Sequence, residues 1–250
     1  LKRLLTMFVL LLCFCAAGSE AYALAGNPLL PYADVLIDVG HGGIDTGARF
    51  GKYDEKDMNL AISKKTYKLL QKRGYRVVIN RTEDYALSTD NKWSVGSRHR
   101  KDLAQRSGIA NTIKPKMMLS MHINWSGKPD RRGPLVFHQN QSESILLANL
   151  LQDSLNRVYG TEDVPILGKK YYVLRNTKCP SVIIEFGFIS NKSDRKLLNS
   201  SHHQAKLAEA VARAVDQFFA MTQSPARTSS LQGSPSGKGA RRLLPFGSKE

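Results

Sequence analysis

The sequence predicts an α/β fold: one domain in which helices cover both faces of a mainly parallel mixed sheet. Two observations carry that expectation. Short, almost wholly apolar runs such as residues 35–39 and 182–184 read as strands buried on both faces, and they alternate with longer segments whose apolar residues recur at helical spacing. An apolar content of 42% in 250 residues is enough to fill one sizeable core, and no repeat of solenoid length is visible.

The chain begins with Lys2-Arg3, an apolar run from Leu4 to Ala17 and the small-residue segment Ala21-Tyr22-Ala23, the three regions of an export signal. Residues 1–23 are therefore expected to be a signal peptide cleaved after Ala23. The apolar run falls short of the roughly 20 residues of a spanning helix, which favours cleavage over retention as an anchor that would hold the protein near a membrane. A linker over 24–33 and a catalytic domain over 34–221 follow. Residues 222–250, rich in Ser, Gly, Pro and Arg without apolar period, read as a disordered basic tail.

Within the domain, the β-branched run 35–39 opens into Gly40-His41-Gly42-Gly43, a strand followed by a flexible loop. A helix is expected over 55–73, with Met58, Ala61, Ile62, Leu69 and Leu70 on one face and Gly74 as its stop. A strand over 76–79 is followed by a polar stretch, 81–101, that reads as a long exposed loop. A helix over 102–111, a strand over 117–121 leading into His122, a strand over 135–138 and a helix over 142–159 come next. The strand 182–184 delivers Glu185, and helices over 194–199 and 202–221 complete the domain.

The formal charge is +16, of which +11 remains on the domain once the +1 of residues 1–23 and the +4 of the tail are set aside. Such an excess favours anionic partners, and an export signal makes wall polymers or a membrane surface more accessible than nucleic acid. Of the three cysteines, Cys13 and Cys15 lie in the signal, which leaves Cys179 as a small thiol with no partner for a disulfide.

His41, Glu55 and His122 would satisfy the three-ligand rule of a catalytic zinc site, whose fourth position is left to water. Taken singly each has an ordinary explanation: a loop histidine is usually a surface residue, and Glu55 suits a helix N-terminus electrostatically. Glu185, placed after three apolar residues and before Phe186, is harder to explain as structure, because an unpaired carboxylate is costly there. Asp38 is expected at the strand end as an acceptor that orients His41 or as a purely structural residue. His41, His122 and Glu185 all fall at the carboxyl ends of expected strands, where open α/β sheets place their ligands.

Five ordered blocks, VLIDVGHGGIDTGA (35–48), DEKDMNLAIS (54–63), RSGIAN (106–111), MLSMHINWS (118–126) and IIEFGFISN (183–191), resemble the zinc-dependent N-acetylmuramoyl-L-alanine amidases over residues 34–220. The resemblance implies that His41, Glu55 and His122 bind Zn2+, that Glu185 is catalytic, and that the substrate is the amide between N-acetylmuramic acid and L-alanine in peptidoglycan. Arg106 and Asn111 fall in a block read as scaffold. Val39 stands where the family commonly has Pro, and Ile123-Asn124-Trp125 replaces smaller residues, which places Asn124 and Trp125 beside the metal as contacts for sugar or peptide.

Only 62 residues lie between His122 and Glu185, which excludes the long inhibitory helix that some division amidases insert there. With the absence of wall-binding repeats, this resembles the germination-type amidases that help to make muramic lactam in spore cortex. The expected location is accordingly the cell wall or, for that subtype, the spore intermembrane space; no motif identifies a protein activator. Competing readings are a wall-peptide carboxypeptidase, a sugar deacetylase and a non-catalytic wall-binding or activator protein. The last would show a lost ligand or acid, and all four residues are present.

Overall fold

A computed structural model describes residues 32–88 and 95–223, apart from the side chains of 95–97. The expected signal, most of the linker and the tail from residue 224 onward lie outside the described residues. The elements in chain order are β1 (Val35–Val39), β2 (Arg49–Phe50), β3 (Tyr53–Asp54), α1 (Glu55–Lys72), β4 (Val77–Ile79), α2 (Val95–Ile113), β5 (Met117–Asn124) and β6 (Leu135–His138). There follow α3 (Ser142–Tyr159), β7 (Ile166–Leu167), α4 (Tyr172–Asn176), β8 (Ser181–Phe188), α5 (Lys192–Leu198) and α6 (Ser201–Thr222).

Six strands form one sheet in the order β4-β1-β5-β8-β6-β7, and β2 and β3 form a separate hairpin. All pairings in the large sheet are parallel except β6 with β8, so the sheet is mixed and mainly parallel as expected. Side chains alternate across a strand, which assigns the two faces. Val35, Ile37 and Val39 of β1, with Leu119 and Met121 of β5, join the large core beneath α1, α3 and α6, whereas Leu36 and Met118 face Ala110 of α2 and Val173 of α4. Helices thus cover both faces.

Local chemistry sets the helix ends. Gly160 ends α3 in the left-handed conformation at φ 63°, a position where a Cβ is unfavourable. The Asn191 side chain accepts from Asp194 N at 3.0 Å to cap α5, and Ser200 caps α6 by accepting from His203 N.

Three expectations need correction. The helix expected over 102–111 begins at Val95, so the end of the stretch read as a loop is helical. Its buried face is polar: Arg98, Asp102 and Arg106, spaced four apart, are 8%, 3% and 3% exposed. A search for apolar period has nothing to detect on such a face. Second, β5 and β8 run past their apolar stretches to Asn124 and Phe188, so His122 and Glu185 are within strands rather than at their ends. The sheet tolerates both because they are register partners, and the pairing shifts only beyond them, between His122 and Asn124. Third, of the two roles left open for Asp38, the contact with His41 is not made and the structural one is. Asp38 accepts hydrogen bonds from Ser120 Oγ at 2.6 Å, Arg106 Nη1 at 2.6 Å and Asn80 Nδ2.

Candidate active site

Because His122 and Glu185 are register partners on adjacent parallel strands, their side chains emerge side by side on the α2 and α4 face. The β1 strand stops at Val39, and His41 follows in a loop whose backbone is tightly held. His41 itself has φ 59°, unusual for a residue with a side chain, and Gly42 and Gly43 also have positive φ. Two buried arginines bind this turn: Arg106 donates to Val39 O at 2.7 Å and to His41 O at 3.3 Å, and Arg81 Nη2 donates to Gly40 O at 3.0 Å. Arg106 is in turn held between Asp38 and Asp102, each at 2.6 Å. The loop carbonyls are thus held by buried guanidiniums, of which Arg106 is neutralised by Asp38 and Asp102 whereas Arg81 donates to the backbone carbonyls of Gly40, Lys56 and Glu83.

Glu55, the first residue of α1, enters from a third direction. Its Oε2 accepts from Ala48 N at 2.8 Å, and its Oε1 accepts from Ile123 N at 3.1 Å and Asn59 Nδ2 at 3.2 Å. His122 Nδ1 lies 3.0 Å from Oε1 and His41 Nε2 lies 3.3 Å from Oε2. The imidazoles stand edge to face with centroids 5.0 Å apart.

Two glycines keep the grouping compact. A Cβ on Gly40 would overlap the His122 ring, and one on Gly47 would come within 2.5 Å of Glu55 Oε2 and 2.6 Å of His41 Cδ2. Asp45, four residues after His41, lies 3.1 Å from His41 Nδ1, close enough for charge attraction though outside hydrogen-bond geometry.

The two carboxylates have opposite environments. Burial pushes Glu55 upward, but His122 and His41 outweigh it and hold the group well below the usual carboxylate range. Glu185 is 8% exposed and its Oε2 is buried without a hydrogen-bond partner. Burial, reinforced by the negative charge of Glu55, pushes Glu185 up to about 8. For His41, burial is the largest influence and favours the neutral ring, but Asp45 and Glu55 together push it up to about 10. One carboxylate is built to stay ionised and the other to gain or lose a proton near neutrality.

All four sequence-predicted residues, His41, Glu55, His122 and Glu185, line one cleft of about 470 Å³. One ligand atom from each of His41, Glu55 and His122 lies within 4.8 Å of the others. Two imidazole nitrogens and one carboxylate oxygen form a donor set suited to Zn2+, and the carboxylate of Glu55, held ionised, favours a cation there. Asn124 and Trp125 line the same cleft, whereas Asn111 bonds Asn176 O and Lys178 N on the scaffold.

Asp45, Arg81, Arg98 and Asp102 are contributors that sequence reasoning did not single out. The i, i+4 alternation of charge at Arg98, Asp102 and Arg106 was a signal available for two of these four residues, Arg98 and Asp102.

Residues 35–217 match the protein family described as N-acetylmuramoyl-L-alanine amidase. The chain is 32% identical over 213 residues to the Bacillus subtilis protein YqiI, covering 84% of this chain and 96% of that one. It is 29% identical over 194 residues to the germination-specific N-acetylmuramoyl-L-alanine amidase of Bacillus subtilis, covering 74% of this chain and 79% of the relative. Among solved structures, the CwlD amidase from Clostridioides difficile in complex with the GerS lipoprotein superposes with a TM-score of 0.72 at 29% identity, covering 76% of this chain and 99% of CwlD. The ordered motifs, the sheet that presents them and these relatives lead to one conclusion: the chain belongs to the N-acetylmuramoyl-L-alanine amidase family.

Proposed function

We propose that this chain hydrolyses the amide between N-acetylmuramic acid and L-alanine in peptidoglycan, with His41, Glu55 and His122 holding Zn2+ and Glu185 carrying the proton. The observation that supports the division of roles is the contrast between Glu55, bonded on every side, and Glu185, buried with an unpartnered oxygen in the same cleft.

When bound, Zn2+ supplies Lewis acidity that acidifies water and polarises an amide carbonyl. Glu185, ionised in a fraction of molecules near neutrality, takes a proton from the attacking water at its free carboxylate oxygen. As the carbon–nitrogen bond breaks, the same carboxyl returns that proton to the departing nitrogen, so the L-alanine amine leaves neutral and Glu185 is again ionised. Glu55 stays anionic throughout, fixed by Ala48 N and Ile123 N. Asp45 and the Arg106 contacts to the loop backbone hold His41 in place.

The signal-like residues 1–23 support action outside the cytoplasm, as do relatives named probable cell wall amidases in Staphylococcus. No helix among the described residues is long and apolar enough to cross a membrane. The germination-specific relative and the short interval between His122 and Glu185 support a role in spore cortex, and a lipoprotein partner of the kind bound to CwlD fits that setting.

Digestion of purified peptidoglycan by wild type and Glu185→Gln, with zinc measured in both, tests the assignment. Free L-alanine amines and an intact glycan are expected from wild type, with equal zinc and no cleavage in the variant. Peptide retained on the sugar would reject the amidase reading in favour of a carboxypeptidase or deacetylase, and equal cleavage would remove Glu185 from the mechanism.

A further inference from the structure

Trp125 is 57% exposed, although it follows the buried strand that carries His122 and lines the catalytic cleft. An exposed indole is not unusual by itself, but this one lines the cleft that holds His41, Glu55, His122 and Glu185, where its apolar face is open to a ligand. The backbone around it is not loose. Trp125 N donates to Asn124 Oδ1 at 2.7 Å, Ser126 N donates to Ser190 Oγ at 3.0 Å, and Ile189 N donates to Asn124 O at 2.8 Å. Asn191 Nδ2 donates to Pro129 O at 2.7 Å, which ties the far side of the same loop to the turn after β8. The segment therefore holds an apolar ring at the cleft with its backbone already ordered, so little entropy remains to be lost when a ligand covers it.

Resting on the amidase reading above, we infer that Trp125 is a specificity-determining platform that stacks against the pyranose face of the N-acetylmuramoyl unit. The chemistry of the amide chooses between its two sides. The acyl side carries a pyranose, whose ring carbons offer a flat C–H face comparable in size to an indole. The amine side begins with L-alanine, whose side chain is a single methyl group. Trp125 therefore recognises the sugar half of the substrate and leaves the peptide half to the remaining wall of the cleft, which includes Tyr171, whose ring lies tilted against Phe137 with centroids 4.8 Å apart.

The test has a kinetic and a binding arm. For cleavage of a soluble muramoyl peptide, Trp125→Ala is expected to raise KM about tenfold with kcat unchanged, the pattern of an interaction made equally in ground and transition states. Trp125→Phe, which keeps an aromatic face, is expected to recover much of the loss. The binding arm uses Trp93→Phe in the Glu185→Gln background, which leaves Trp125 as the single indole because the chain has two tryptophans. Its fluorescence is expected to change with the muramoyl peptide and with N-acetylmuramic acid alone, but not with the free peptide. A KM within twofold of wild type, a loss confined to kcat, or a response to free peptide but not sugar would overturn the platform. Failure of wild type to release L-alanine amines, with the sugar response intact, would instead count against the amidase reading and leave the sugar site standing.

Discussion

Replacing Glu185 by Gln should stabilise the metal-free protein at alkaline pH, by an amount that follows from the site itself. Glu185 is held at about 8 against an ordinary value of 4.5, because burial and Glu55 both oppose its charge. The folded state therefore keeps a proton that the unfolded chain releases, and between those two values stability falls as pH rises. The full difference, at about 1.4 kcal/mol for each pH unit, amounts to roughly 5 kcal/mol at and above pH 8 and vanishes below about pH 4.5. Glutamine has nearly the same shape and no charge, so the variant escapes this loss. Its amide remains unpaired, at a cost of about 1–3 kcal/mol, but so does the protonated acid at low pH, and the comparison across pH removes that contribution. The assay is urea unfolding of chelator-treated wild type and Glu185→Gln from pH 5 to 9. The stability difference should move progressively in favour of the variant up to about pH 8 and then level off. His41 and Glu55 are present in both proteins and largely cancel. A difference that is flat with pH, or that moves toward wild type as pH rises, would refute the claim that Glu185 is an unpaired buried acid.

Two further perturbations address the frame around the site. Arg106→Met leaves Asp38 and Asp102, 1% and 3% exposed, without their shared cation, and should cost about 3–5 kcal/mol in urea unfolding; Asp38→Asn in the same chain should recover part of it. Gly47→Ala places a methyl 2.5 Å from Glu55 Oε2 at a residue with φ 63°, and should lower bound zinc per chain and activity together, as measured by metal analysis beside the peptidoglycan assay.

The parts of this protein that could be read from sequence are those in which a single physical rule applies. Apolar runs gave strands β1, β5 and β8, because strands covered on both faces have no polar alternation to obscure them. The helices α1, α3 and α6 were equally plain, since each buries an apolar stripe. The start of α2 was not, because its inward stripe is Arg98, Asp102 and Arg106, residues that a hydrophobicity rule assigns to solvent. Their burial depends on partners distant in sequence: Asp45 lies 3.7 Å from Arg98, and Asp38 pairs with Arg106 across 68 positions. No local pattern contains those distances.

The same distinction explains why the sequence left two roles open for Asp38, of which the structural one holds. Its position beside the histidine loop suggested a direct contact with His41, but alternation along β1 points its side chain to the α2 face, where Arg106 waits. Asp38 nevertheless reaches His41 indirectly. By neutralising Arg106 it allows a buried guanidinium to hold the carbonyls of Val39 and His41, and so to keep His41 in a backbone conformation it would otherwise leave. The polar face that hid the start of α2 from the sequence is thus part of the structure that supports the candidate zinc site. Arg106 donates to the carbonyls of Val39 and His41 while Asp102 and Asp38 neutralise it, and an apolar helix in that position would leave those contacts unmade.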